Sequence, residues 1–141
     1  MELPDFPYHP DPRASGAVVE SDARCPACGR ARGYVYTGPV FAVEELARQL
    51  CPWCIADGTA AEPFDAEFTD VGSHVPEDVP HWVLEQIARR TPGFSAWQQE
   101  HWLYHCGDGA AFEGIDDHGQ GATYRFRCRH CGRELAYSDS V

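Results

Sequence analysis

Lysine is absent from this 141-residue sequence. All eleven cations are arginine, set against 22 acidic residues, for a net charge of −11. So acidic a chain lacks the broad basic surface that displaces counterions from a phosphate backbone, which argues against nucleic acid as a partner. Long apolar runs are missing as well. No stretch approaches about 18 consecutive apolar residues, so no membrane-spanning helix is expected. The opening Met1-Glu2-Leu3-Pro4-Asp5 lacks the apolar centre of a signal peptide. The cysteine count of seven is odd, which argues against a complete disulfide framework. Together these absences predict a cytoplasmic protein whose thiols stay reduced. There is no low-complexity run, and the cysteine pairs recur with no repeat expected in the sequence that flanks them, so a solenoid is excluded.

What is present is sulfur in pairs. Cys25-Pro-Ala-Cys28, Cys51-Pro-Trp-Cys54 and Cys128-Arg-His-Cys131 each place two thiols across a two-residue gap. That gap lets both thiolates reach one ion at about 2.3 Å, and the glycines at 29 and 132 suit the turn that follows. Cys25, Cys28, Cys51 and Cys54 form one complete tetrahedral set. The third pair needs partners, and Cys106 is the one remaining cysteine. A second site is expected from Cys106, Cys128, Cys131 and one histidine. His105 is the first candidate, followed by His101 and His9, while His130 inside the knuckle is expected to point outward. Two Zn²⁺ ions are the expected cofactors. The plain alternatives are a packed core histidine and, for Cys106, a buried free thiol.

Seven of the eleven arginines, at 24, 30, 32, 125, 127, 129 and 133, lie within four residues of the first or the third cysteine pair. Guanidinium groups there would offset the negative charge of a zinc–thiolate centre. The rival reading is a basic patch that grips phosphate.

Eleven prolines and thirteen glycines imply short elements and many turns. Residues 1–22 read as an extended arm anchored by Phe6 and Tyr8, since the prolines around Tyr8-His9-Pro10-Asp11-Pro12 forbid a helix. A strand is expected over 33–38. Three helices are expected. One covers 41–50, with Val43, Leu46, Ala47 and Leu50 on one face. A second covers 78–90, capped by Asp78, with Val83, Leu84 and Ile87 inward. A third runs from a Ser95/Gln98 capping box to about Cys106. Strands follow at 110–115, 122–127 and 133–137, the last two bracketing the Cys128 knuckle as a zinc-ribbon hairpin. The expected fold is a single small zinc-stapled α+β domain over 1–141, with zinc modules at 24–54 and 95–137.

Two catalytic readings compete with a structural one. Cys51-Pro-Trp-Cys54 resembles the dipeptide pattern of thioredoxin-like oxidoreductases, where the first cysteine opens a helix. With a helix expected before the motif and a turn at 55–58, the dipole points the wrong way. A thiol- or zinc-dependent enzyme would use Cys106 near His101 and His105, with Gln98, Gln99, Glu100 and Asp108 to orient a base or polarise a carbonyl, or a cleft lined by Trp97, Gln98, Gln99 and Glu100. Thiolate-rich zinc sites are normally closed to substrate, however.

The joint pattern resembles the CbrC family of bacterial proteins. The resemblance rests on Tyr8-His9-Pro10-Asp11-Pro12, Cys25-Pro-Ala-Cys28-Gly29, Arg32-Gly-Tyr-Val-Tyr-Thr-Gly-Pro39 and Cys51-Pro-Trp-Cys54-Ile-Ala-Asp-Gly58. Thr91-Pro-Gly93, Trp97-Gln-Gln-Glu100, His105-Cys-Gly-Asp108 and Phe126-Arg-Cys-Arg-His-Cys-Gly132 complete it. It covers nearly the whole chain. It implies a link to colicin tolerance, no established enzymatic activity, and a place for His9, His105 and Cys106 in the shared pattern. It also implies a longer insertion between Ala110–Gly114 and the last strand than this chain has. The functional expectation is therefore a zinc-binding module with a protein partner, a toxin or stress-related protein, and no catalytic residues. An enzyme or a nucleic-acid-binding zinc ribbon is the alternative.

Overall fold

The computed structural model describes residues 2–72 and 74–140. In chain order the elements are β1 (Val18–Glu20), β2 (Tyr34–Tyr36), α1 (Pro52–Asp57), α2 (His81–Arg90), β3 (Tyr104–His105) and β4 (Asp108–Gly109). They end with β5 (Ala111–Asp117), β6 (Gly121–Arg127) and β7 (Glu134–Ser140). The fold mixes helix and strand as expected, but with two helices where three were expected. None of the described helices is long and apolar enough to cross a membrane.

The C-terminal half is an antiparallel sheet in the order β5-β6-β7. Alternation writes it. On β6, Ala122, Tyr124 and Phe126 face the core, while Thr123, Arg125 and Arg127 face out. Phe94 stacks on Phe112 with centroids 4.2 Å apart, and Val83 and Ile87 of α2 join the same buried cluster as Tyr8, Trp102 and Tyr124. The arm serves this sheet. The Phe112 N–H donates to the Tyr8 carbonyl at 2.8 Å, so the arm covers part of an edge strand that would otherwise offer free amides. The end of the arm is itself a strand, β1, paired with β2.

A second buried cluster joins Phe6, Tyr36, Leu46, Leu50, Ile55 and Phe68 around Cys25, Cys51 and Cys54. The two clusters meet near Gly93. Its N–H donates to Tyr36 Oη at 3.2 Å, and a β-carbon there would collide with the Phe68 carbonyl oxygen. No side chain but hydrogen fits at that crossing.

Two expected helices do not form. Over 41–50 the chain is irregular, Phe41 bridges to Glu67, and Arg48 takes a left-handed φ of 59°. Leu46 and Leu50 are buried, but Val43, expected inward, is 99% exposed. A pattern this short carries little helical stability of its own, so tertiary anchoring decides the path. Over 95–106 the sheet takes the donors a helix would have used. The amides of Trp97, Gln98 and His101 donate to Tyr124 Oη, Asp139 Oδ2 and Tyr137 Oη, each at 3.0 Å.

The helix that does form near the second cysteine pair begins inside it. α1 begins at Pro52, with Cys51 as its N-cap and Gly58 closing it in the left-handed region. Proline at the first helical position and glycine just past the last are ordinary start and stop signals. The turn expected at 55–58 is therefore the second half of a helix. α2 begins at His81, behind Pro80, not at a cap formed by Asp78.

Candidate metal centres

Local backbone geometry builds each centre from one knuckle and one other segment. The knuckles are near copies. Arg24-Cys25-Pro-Ala-Cys28-Gly29-Arg30 and Arg127-Cys128-Arg-His-Cys131-Gly132-Arg133 share the pattern Arg-Cys-x-x-Cys-Gly-Arg. In both, the first cysteine's N–H donates to the last arginine's carbonyl at 2.9 Å, and the glycine N–H donates back to the first cysteine's carbonyl. Both glycines are left-handed, at φ 72° and 76°. In both, the arginine before the first cysteine donates to that glycine's carbonyl, at 2.6 and 3.0 Å. The flanks of the first and third pairs do repeat, contrary to the expectation from sequence, because each arginine serves the same turn.

In the first centre the knuckle meets Cys51 and Cys54 at the start of α1. The Tyr36 N–H donates to the Leu50 carbonyl at 2.8 Å, which draws the residue before Cys51 alongside β2. One donor atom from each of Cys25, Cys28, Cys51 and Cys54 lies within 4.8 Å of every other, and Cys28 Sγ is 4.0 Å from Cys51 Sγ. Four sulfurs around a tetrahedral ion at about 2.3 Å stand about 3.8 Å apart, so the set fits such an ion. Cys25, Cys51 and Cys54 are buried, and Cys28 is partly so. Donation from Cys51, against the opposing effect of burial, draws the Cys25 thiol down to about 4, and nearby amides assist. Its bonded neighbour Cys51 is pushed up by the same interaction. These sulfurs share protons that a divalent cation would replace.

The second centre gathers His105, Cys106, Cys128 and Cys131, again within 4.8 Å of one another. His105 ends β3, and Cys106-Gly107 is the two-residue turn into β4, with φ of 55° and 71°. A left-handed cysteine is an uncommon and mildly costly conformation. It turns Cys106 Sγ back to 3.2 Å from His105 Nδ1, which also lies 3.5 Å from Cys131 Sγ. Adjacent residues can thus both face one ion, through a β-turn where the sequence predicts a helix end. The amide of Cys131, and then that of His130, hold the Cys128 thiol down to about 6 against desolvation.

The other histidine candidates lie elsewhere. His9 is fully buried, with Nδ1 2.7 Å from the Pro92 carbonyl and Nε2 2.6 Å from Ser15 Oγ. His101 packs edge-on to Tyr137 and His74. His130 does not simply point outward. Its Nε2 lies 2.8 Å from Asp108 Oδ2.

Asp108 was named only as a possible orienting group. It is the hub beside the second centre, taking Tyr8 Oη at 2.6 Å, Arg129 at 2.9 Å and its neighbour's Gly109 amide at 2.8 Å. Burial pushes its carboxyl up, but the donors from Tyr8, His130 and Gly109, with the charge of Arg129, outweigh that and hold it below the usual range. Trp97 and Gln98 are tied to the sheet through their amides, as described above, and the segment forms no helix that could line the expected cleft.

The arginines answer carboxylates. Arg125 pairs with Asp116 at 2.9 Å, Arg127 with Glu113 and Glu134, and Arg129 with Asp108. Arg32 lies over the Trp53 ring at 4.6 Å. The objection to a redox role for Cys51 also changes, since α1 starts within the motif and Cys51 is its N-cap. What now stands beside that cysteine is its burial among three other sulfurs.

Fold and sites thus define a small protein of helices and short sheets carrying two four-donor clusters able to hold metal ions. The chain belongs to the uncharacterised protein family UPF0167, whose family model matches residues 3–117. It is 43% identical over 176 aligned positions to the UPF0167 protein Mb2317 of Mycobacterium bovis, covering 99% of this chain and 94% of that protein. The same figures hold for the UPF0167 protein MT2352 of Mycobacterium tuberculosis. Identity to the UPF0167 protein PA1536 of Pseudomonas aeruginosa is 38% over 167 positions, 93% of each chain. These alignments run longer than the 141 residues of this chain, so the relatives carry residues that have no counterpart here. No solved structure matches.

Proposed function

We propose that this protein is a cytoplasmic module stapled by two zinc ions, which acts by binding a protein partner. In keeping with its CbrC-like motifs, we assign it a protective role against colicin-type toxins. The observation that carries the zinc reading is the pair of four-donor sets, Cys₄ and Cys₃His. Thiolate-rich and complete, they suit structural zinc and leave no coordination position for a substrate. Seven free thiols grouped as ligands suit a reducing compartment. With the metal sites closed, the work falls to the surface. An enzyme centred on Cys106 is disfavoured because that sulfur belongs to a ligand set. A nucleic-acid ribbon is disfavoured because Arg125, Arg127 and Arg129 are already paired with acids.

Metal analysis of the reduced protein is expected to find two zinc ions per chain, falling to one in Cys25→Ser and, independently, to one in Cys128→Ser. A single ion in the parent protein, or unchanged content in Cys106→Ser, refutes the assignment. A colicin-sensitive strain expressing the protein should survive challenge better than one expressing Cys128→Ser. Equal survival refutes the protective role.

A further inference from the structure

The two centres differ in one respect that matters chemically: who can reach the sulfur. In the first, Cys25, Cys51 and Cys54 are 0%, 1% and 2% exposed. In the second, Cys106 and Cys131 are both exposed and only Cys128 is buried. Their settings differ too. Cys106 sits at the tip of the β3–β4 turn, and Cys131 in the knuckle loop that links β6 to β7. The amides of His130 and Cys131 donate to Cys128 Sγ, at 3.4 and 3.5 Å. Among the described residues no backbone amide donates to Cys106 or Cys131. Hydrogen bonds to a ligating sulfur draw off electron density, so the two exposed sulfurs are also the less quenched ones.

We infer that Cys106 and Cys131 form an oxidation site for small peroxides, which releases the second metal ion and leaves the first in place. This rests on the reading of both clusters as metal centres. One of the two exposed thiolates attacks a peroxide oxygen. The O–O bond breaks, hydroxide leaves, and the sulfur becomes a sulfenic acid. The other thiolate attacks that sulfur and expels a second hydroxide, forming the Cys106–Cys131 disulfide. Two thiolates, one hydrogen peroxide and two protons become one disulfide and two waters. Each sulfur loses one electron, and the peroxide gains two. The ion is left with Cys128 and His105 alone and dissociates. In the first centre the same path stalls. There the first step is the slow one, since peroxide reaches only Cys28, which is partly accessible, while Cys25, Cys51 and Cys54 are buried.

The test uses the full chain, with zinc counted before any oxidant is added. Graded hydrogen peroxide is applied while a metallochromic dye reports free zinc and peptide mass mapping reports each cysteine. The expected result is one equivalent of zinc released on the order of tenfold faster than the other, as exposure and reactivity track each other in thiols. It should come with a Cys106–Cys131 disulfide and unmodified Cys25, Cys51 and Cys54. Parallel release of both ions, earlier modification of the first centre, or no release from a two-zinc protein overturns the inference and leaves the metal reading intact. A starting protein without a second ion overturns the metal reading at that centre, and the inference with it.

Discussion

Acidifying the protein should expose the cost of its one fully buried histidine. His9 belongs to the arm, and its ring is sealed against Phe112 of β5. With Nδ1–H donating to the Pro92 carbonyl and Ser15 Oγ–H donating to Nε2, the ring is satisfied while neutral. Burial lowers its pKa from the usual 6.5 to about 4, despite the opposing pull of the Pro92 carbonyl and of Asp11. The unfolded chain therefore binds a proton that the folded chain refuses between those values. Stability from this residue is whole above pH 6.5 and is lost as pH falls toward 4. At about 1.4 kcal/mol per unit the full loss is about 3 kcal/mol, of which about 2 kcal/mol is gone by pH 5. Urea unfolding of zinc-loaded protein at about pH 7.5 and pH 5 measures it, in parallel with His9→Gln. Protonation of the metal-site sulfurs also weakens the protein in acid, but it acts on both proteins and cancels in the comparison. The variant should be less stable at neutral pH and should lose about 2 kcal/mol less than the parent on acidification. Equal losses in the two proteins would refute the buried-neutral account of His9.

Three further expectations follow from the same structure. Removing zinc with a strong chelator should unfold the protein, seen as loss of near-ultraviolet circular dichroism, because structural zinc supplies on the order of 10 kcal/mol of folding free energy; persistence of the folded signal would mean that the cores suffice alone. Gly93→Ala should cost about 1–3 kcal/mol in denaturant unfolding, since the added methyl meets the Phe68 carbonyl at the meeting of the two clusters; a neutral effect would show that this crossing can relax. Asp108→Asn should cost about 2 kcal/mol, because it removes the charge that Tyr8, Arg129 and His130 all address; an unchanged melting temperature would count against Asp108 as the hub.

The cysteine groups were readable because knuckle chemistry is local: a two-residue gap and a following glycine dictate the turn whatever surrounds it. The central strand of the sheet was readable for the same reason, as Ala122 to Arg127 carries its alternation within itself. The helices fared worse. The apolar spacing at 41–50 and the Ser95/Gln98 pair were true local signals, the first overruled by the bridge from Phe41 to Glu67 and the second by distant hydroxyls and a carboxylate on β6 and β7. The Gly58 stop signal is local as well; after a helix expected over 41–50 it reads as part of a turn.

From the sequence alone came the content of the two donor sets, the acidity that disfavours nucleic acid, and the faces of the C-terminal sheet. These follow from short-range spacing and from composition. Tertiary structure alone decided which histidine joins the second set, since His9, His101 and His105 have equal chemistry and differ only in where the chain carries them. It also buried one set of sulfurs and left the other open, because exposure depends on what packs over a residue from elsewhere in the chain.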